Sequence, residues 1–272
     1  MSQPVTCPTL ERAALESLVD GRILALRVPR FVDSDLAAKL AIWFADHPER
    51  QNYRSSNARG ELLPSDTDRV GTPLSTLYPG LLADPPALST RDLEDYALAS
   101  RVLAAQVRGA CAPAEAPIDA VLEAMRAVWN GGVRRASFFG LPIYGGIARV
   151  NMMSSGAVLE EQPHMDWLPP KIAQFSCQLS AVVYLELPSV GGELEIWDLD
   201  EEDSVAMYKK FGQLKREEMT QSYVVRPEVG DLVVFNTRRP HRVRRFHGGN
   251  RIVQTAFVGY RPDGDRQLVV WS

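Results

Sequence analysis

The chain is predicted to be an α+β protein in which a helical N-terminal layer supports a C-terminal β-core. Three observations carry this. Up to residue 132 the apolar residues recur mostly at helical spacing. After Val133 they fall instead into short β-rich runs separated by Gly, Pro and Asn, the pattern of a sheet sandwich or barrel. Finally, 272 residues of which 45% are hydrophobic suffice for a packed core, so disorder is not expected.

The elements follow in order. Leu10 to Val19 is amphipathic and stops at Gly21, which predicts a helix; Arg22 to Val28 alternates apolar with polar and reads as a strand. A second helix is capped by Asp33 or Ser34, carries Leu36, Leu40 and Phe44 on one face and ends before Pro48. Gln51 to Pro86 is rich in Ser, Asp, Pro, Gly and Arg with little periodicity, and is expected to be a long loop or lid. Helices are predicted over Arg91 to Arg108 and Pro117 to Trp129, the second opening on proline and closing at Gly131 and Gly132. Strands are predicted near 134–139, 146–153, 174–186, 192–198, 222–226, 231–236, 241–246, 251–260 and 267–271, with a helical insertion from Asp203 to Met219. The expected division is a mainly helical region 1–132 packed on a core 133–272, forming one cooperative unit without internal repeats.

Bulk properties exclude several classes. A formal charge of −4 with both signs dispersed gives no field that would gather nucleic acid. Cys7, Cys111 and Cys177 are odd in number and far apart, which fits neither a disulfide framework nor a structural zinc site and points to a reducing cytoplasm. The N-terminus lacks the order of a secretory signal, and no apolar run approaches the roughly 20 residues that span a bilayer. A soluble cytoplasmic protein with no membrane or nucleic-acid partner is expected, and a homodimer is compatible with the sequence.

The chemistry centres on His164-Met165-Asp166. In an extended segment alternate side chains leave on the same face, so His164 and Asp166 can grip one ion. His241 follows the apolar run Asp231 to Phe235 and the loop Asn236 to Pro240. Two histidines and a carboxylate on one face of an iron leave positions open for cosubstrate and oxygen. Arg251 opens the strand Ile252 to Tyr260 after the turn Gly248-Gly249-Asn250, where a guanidinium can take the far end of a dicarboxylate through two hydrogen bonds.

These residues resemble the Fe(II)/2-oxoglutarate-dependent oxygenases, most closely the prolyl-4-hydroxylase-like branch, over roughly residues 146–260. Arg149-Val150-Asn151 and Gly156 look like the approach to the metal motif. Ser180 to Leu185 followed by Gly191-Gly192-Glu193-Leu194 is similar to the central strand and its glycine turn. Pro227, Gly230 to Phe235, His241-Arg242-Val243, Gly249 and Arg251 look like the distal half. The resemblance implies a double-stranded β-helix, or jelly roll. It also implies Fe(II) held by His164, Asp166 and His241, with 2-oxoglutarate chelated through its keto acid end and O2 as second cosubstrate. Arg251 would bind the other carboxylate. Family members that chlorinate have a small residue where this chain has Asp166, so hydroxylation is the implied outcome. Many members carry Ser or Thr two residues after the arginine; here that position is Val253. Thr255 is roughly 13 Å from Arg251 along an extended strand, so Tyr184 is the hydroxyl expected to help.

Other residues carry two readings each. Arg149 and Asn151 reach the cosubstrate or substrate, or face solvent. Trp167 forms a pocket wall or packs in the core. Glu161, beside Glu160, receives a cationic group of the substrate or is solvated. Arg239 or Arg245 is a candidate substrate contact, whereas Arg242 and Arg244 are expected on an exposed strand edge. His47 and His247 read as ordinary polar residues, and Tyr208 and Phe211 as anchors of the inserted helix. The implied activity is hydroxylation of an unactivated C–H of a small molecule, a free amino acid or amino-acid-derived metabolite. A protein or peptidyl hydroxylase and a non-catalytic jelly-roll metal- or ligand-binding sensor are the alternatives.

Overall fold

Helices cover one face of a large sheet and a smaller sheet lies over the other. The computed structural model describes residues 2–56, 62–84, 87–138, 140–152, 158–262 and 266–272; Gly156 lies outside them. The first half runs β1 (Val5–Thr6), α1 (Arg12–Val19), β2 (Ala25–Val28), α2 (Ser34–Ala45), β3 (Gln51–Ser56), β4 (Leu62–Val70), a 3-10 turn (Leu74–Leu77), α3 (Tyr78–Leu82), α4 (Thr90–Cys111) and α5 (Pro117–Val128). The second half runs β5 (Val133–Arg135), β6 (Ser137–Phe138), β7 (Leu141–Pro142), β8 (Ile147–Asn151), β9 (Cys177–Glu186), β10 (Leu194–Trp197) and α6 (Glu201–Phe211). A 3-10 turn (Arg216–Glu218) then leads to β11 (Ser222–Val225), β12 (Leu232–Asn236), β13 (His241–Val243), β14 (Arg251–Tyr260) and β15 (Leu268–Trp271).

Among the described residues the large sheet has the order β1-β2-β12-β9-β14-β8-β4-β3, with β15 alongside β14 and β5 on β15. The small sheet has the order β11-β10-β13. Alternation along the strands sorts their side chains between the two faces. Val150, Ala181, Val183, Val234, Ile252 and Val258 meet Leu15, Leu18, Leu40, Phe44 and Met125 of the helices. On the opposite face Val182, Tyr184, Val233, Phe235 and Val253 meet Leu194, Ile196 and Val225 of the small sheet. Full burial of side chains of this size is worth about 1.5–3 kcal/mol each, so both faces of the sheet are occupied by cores.

Local signals explain the element ends. Asp33 accepts from the backbone N–H of Asp35 and Leu36 and caps α2. Ser89 and Asp92 form a reciprocal capping box on α4. The insertion is a helix only to Phe211, because Gly212 adopts a left-handed conformation and closes it.

The sequence expectation fails for residues 51–86. Much of that stretch is not a loop: β3 and β4 pair with each other, and β4 pairs with β8. These are polar strands at a sheet edge, held by the backbone ladder, so apolar alternation does not announce them. Together with β1 and β2 they add four strands from before residue 132 to the large sheet, and the N-terminal region is therefore more than a helical cover.

Candidate metal centre

The segment between β8 and β9 lies along β13. Leu159 bridges Phe246 and His164 bridges His241, both antiparallel. The His164 N–H donates to the His241 carbonyl at 3.0 Å, and the His241 N–H donates to the His164 carbonyl at 2.9 Å. Residues directly opposite in such a pair project from one face, and the two rings stand 4.5 Å apart. Asp166 is held two residues further on. Its N–H donates to the Thr237 carbonyl at 2.9 Å. Its own carbonyl accepts from Thr237 Oγ1 at 3.0 Å and from Gln178 Nε2 at 3.3 Å.

One donor atom from each of His164, Asp166 and His241 lies within 4.8 Å of the others. Both imidazoles are set for ligation by their backbone. His164 Nδ1 is 2.9 Å from the Gln162 carbonyl and His241 Nδ1 is 3.0 Å from the Arg239 carbonyl. A carbonyl can only accept, so Nδ1 carries the proton and Nε2 keeps its lone pair. Burial alone would raise the Asp166 carboxyl, but its contact with His241 and the charges of His164, His241 and Arg149 hold it well below the usual carboxylate range. The group is thus ready as an anion. Burial and the neighbouring His164 push His241 down, against the pull of Asp166, which favours the neutral ring. Two nitrogens and one oxygen suit a ferrous ion with open positions.

Arg251 lies across from this group on the large sheet, 5% exposed. Its Nε donates to the Gly192 carbonyl at 3.2 Å, and its guanidinium stands 5.4 Å from the Tyr184 ring centre. A register shift between Ile252 and Val253 interrupts the β14–β9 ladder next to Arg251; such irregularities re-aim side chains. The turn before β10 closes over the arginine stem: at Gly192 (φ +81) an added Cβ would meet Pro188 at 2.9 Å, and at Gly191 (φ +78) it would meet the Arg245 carbonyl at 2.0 Å.

Residues 149–259, which contain all four of these side chains, match the family model described as the 2OG-Fe(II) oxygenase superfamily. Over that stretch the chain is similar to the superfamily. It is a 2-oxoglutarate-dependent non-haem iron dioxygenase, with Fe(II) as cofactor and 2-oxoglutarate and O2 as cosubstrates. Its fold is similar to the crystal structure of a novel N-substituted L-amino acid dioxygenase from Burkholderia ambifaria AMMD, at 15% identity and a TM-score of 0.57, covering 96% of this chain and 91% of that chain. The structure of that dioxygenase in complex with alpha-KG gives a TM-score of 0.54 at 15% identity, with 96% and 91% covered. No curated protein matches the chain by sequence. Among the described residues, no helix of the oxygenase is long and apolar enough to cross a membrane.

The remaining predicted residues divide. Tyr184 is buried, and burial raises its hydroxyl against the pull of Arg251. Asn151 is opposite Arg251 on β8, and its Nδ2 donates to Thr67 Oγ1 at 2.7 Å. Arg149 is not solvent-facing: its guanidinium stacks 5.1 Å from the Tyr53 ring centre, within the fields of Asp166 and Glu161. Glu161 is not simply solvated either. Burial would raise its carboxyl, but His164, Arg149 and Arg251 hold it down, and it accepts from the Val243 N–H at 3.2 Å. Trp167 is 43% exposed, which removes the core-packing reading. Arg239 pairs with Asp198 at 2.9 Å. Arg242, expected on an exposed edge, is 5% exposed and paired with Glu195 and Glu160. Sequence reasoning missed Tyr53, Thr67, Arg69 and Tyr78. They come from the stretch read as a lid, whose polar richness was the one available signal. Burial together with nearby Asp166 and Tyr53 pushes the Tyr78 hydroxyl above the usual range.

Proposed function

We propose that this oxygenase hydroxylates an unactivated C–H of a free amino acid or amino-acid-derived small molecule. In this reading His164, Asp166 and His241 hold the iron, and Arg251 with the Tyr184 hydroxyl binds the far carboxylate of 2-oxoglutarate. The observation that carries it is the cluster of two imidazoles and a carboxylate opposite a buried, aromatic-capped guanidinium. With both cosubstrates bound, the iron supplies an oxidant from O2 as 2-oxoglutarate is converted to succinate and CO2, one oxygen entering the substrate.

The protein's part is to orient and to exclude water. Thr237 and Gln178 fix the backbone of Asp166, and the reciprocal bridge fixes both histidines. Two sheets packed face to face, with His241 on the smaller one, His164 bridged to it and Arg251 on the larger, support a jelly-roll architecture. Continuity of the large sheet across residue 132 supports one cooperative unit. The substrate class draws support from the Burkholderia ambifaria dioxygenase, named for N-substituted L-amino acids. Three free cysteines, two of them buried, fit the cytoplasm.

The test is incubation with Fe(II), 2-oxoglutarate and a panel of free and N-substituted L-amino acids. Succinate release coupled to a product one oxygen heavier is expected, and abolished in His241→Ala. Failure of the wild-type protein to bind metal or turn over 2-oxoglutarate would overturn the assignment.

A further inference from the structure

Arg69 on β4 and Arg149 on β8 stand directly opposite each other in the antiparallel ladder. Such partners project from the same face with about 4.5–5.5 Å between Cβ atoms, and like charges there repel. Arg149 is in turn opposite Val253, and Val253 opposite Tyr184, so the row Arg69-Arg149-Val253-Tyr184 runs across the face that looks toward the small sheet.

Arg69 is withdrawn from water without full compensation, and Arg149 beside it keeps one buried nitrogen unmet. Arg69 is 8% exposed. Among the described residues the buried Nε of Arg69 and that of Arg149 have no hydrogen-bond partner. Arg69 donates to the Gly71 carbonyl through its terminal nitrogen and pairs with no carboxylate among the described residues. Arg149 shares its surroundings with Tyr53, Asp166 and Glu161. Leaving a buried donor unmade costs about 1–3 kcal/mol, and more for a charged group. An uncompensated Arg69 directly opposite a second guanidinium, each with a buried Nε unmet, calls for an anion between them. Arg251, which the proposed function assigns to the cosubstrate, is a separate cation: it is opposite Asn151 rather than Arg149 and donates to the Gly192 carbonyl.

We propose that Arg69 and Arg149 form a carboxylate-binding subsite for the molecule that is oxidised, so that its substrate is a small organic acid held by that carboxylate beside the metal. The inference rests on the function proposed above and adds the recognition element. An α-carboxylate is planar and accepts two parallel hydrogen bonds from a guanidinium, which matches the free Nε edges.

The test separates the two readings. Protein loaded with Mn(II) and 2-oxoglutarate under nitrogen is titrated by calorimetry with free and N-acetyl L-amino acids and with the carboxamide of each. Loading itself reports on the proposed function. At least one acid should bind, and its amide should bind roughly 10- to 150-fold more weakly, the range for a lost hydrogen bond to a charged group. Arg69→Gln and Arg149→Gln should each erase most of that acid-to-amide ratio while 2-oxoglutarate still binds. Arg69→Met should melt at or above the wild-type temperature, since it removes a buried, repelled charge. Normal loading with amides bound as well as acids, no acid bound at all, or an unchanged ratio in Arg69→Gln would each overturn the subsite. A large loss of thermal stability in Arg69→Met with an unchanged ratio would make Arg69 a structural residue instead.

Discussion

Replacing Arg242 with Leu tests the support beneath His241. Arg242 follows the histidine on β13, and both it and Glu195 of β10 have side chains only 5% exposed. Arg242 Nε donates to Glu195 Oε2 at 2.8 Å, and the same guanidinium pairs with Glu160 at 2.5 Å and lies 5.8 Å from the Trp197 ring centre. Without it Glu195 keeps the Ser222 hydroxyl at 2.9 Å and Arg216 at 3.9 Å. Breaking a buried pair on one side costs about 3–5 kcal/mol. The unfolding entropy of a 272-residue chain is about 0.57 kcal/mol per degree. The melting temperature at pH 7 should therefore fall by about 5–9 °C, read by calorimetry or circular dichroism. The pH dependence has a definite sign. Burial raises the Glu195 carboxyl, but Arg242 and Ser222 more than offset it and hold it down. In wild type its stabilisation is present above the unfolded value of about 4.3 and lost as pH falls through the lower folded value. In the variant burial dominates, Glu195 is raised, and acid relieves the penalty, so the deficit against wild type should shrink between pH 7 and pH 4. A fall under 2 °C at pH 7, or a deficit that widens with acid, refutes the reasoning. The double variant Arg242→Leu/Glu195→Leu should recover most of the loss.

Asp166→Ala should lower Mn(II) affinity by more than about 100-fold, measured by calorimetry, and bring succinate formation to background. Thr237→Val removes the hydroxyl that accompanies both the Asp166 and Gln178 carbonyls; about 1–3 kcal/mol of stability and roughly 10- to 100-fold in metal affinity should go with it, checked by denaturant titration and metal binding. Arg251→Gln should raise the 2-oxoglutarate KM by about 10-fold or more while Mn(II) affinity stays near wild type; equal loss of both would place Arg251 in the metal's support. Burial pushes the Cys177 thiol up to about 12, so a thiol reagent should leave it unmodified in the native protein at pH 8 and label it only on unfolding, which peptide mass spectrometry reads.

Much of the candidate site was visible in the chain because its parts are local. His164 and Asp166 are two residues apart in an extended segment, and Arg251 opens a strand directly behind a glycine turn; spacing of this kind survives without knowledge of the fold. The β-core was visible for a similar reason, since β9, β12 and β14 are apolar runs bounded by turn residues. The β3–β4 hairpin was not, because strands near a sheet edge are defined by backbone pairing, β3 with β4 and β4 with β8, which polar side chains neither require nor reveal.

By itself, then, the order of residues determined which donors can share a face and which runs must be buried, since both follow from periodicity along one strand. Pairings between strands distant in sequence were decided only by the tertiary structure. It sets His164 against His241, encloses Arg242 between Glu195 and Glu160, and brings Arg69 opposite Arg149. Register across a sheet depends on how whole faces bury against helices and against the second sheet, and no window of neighbouring residues contains that information.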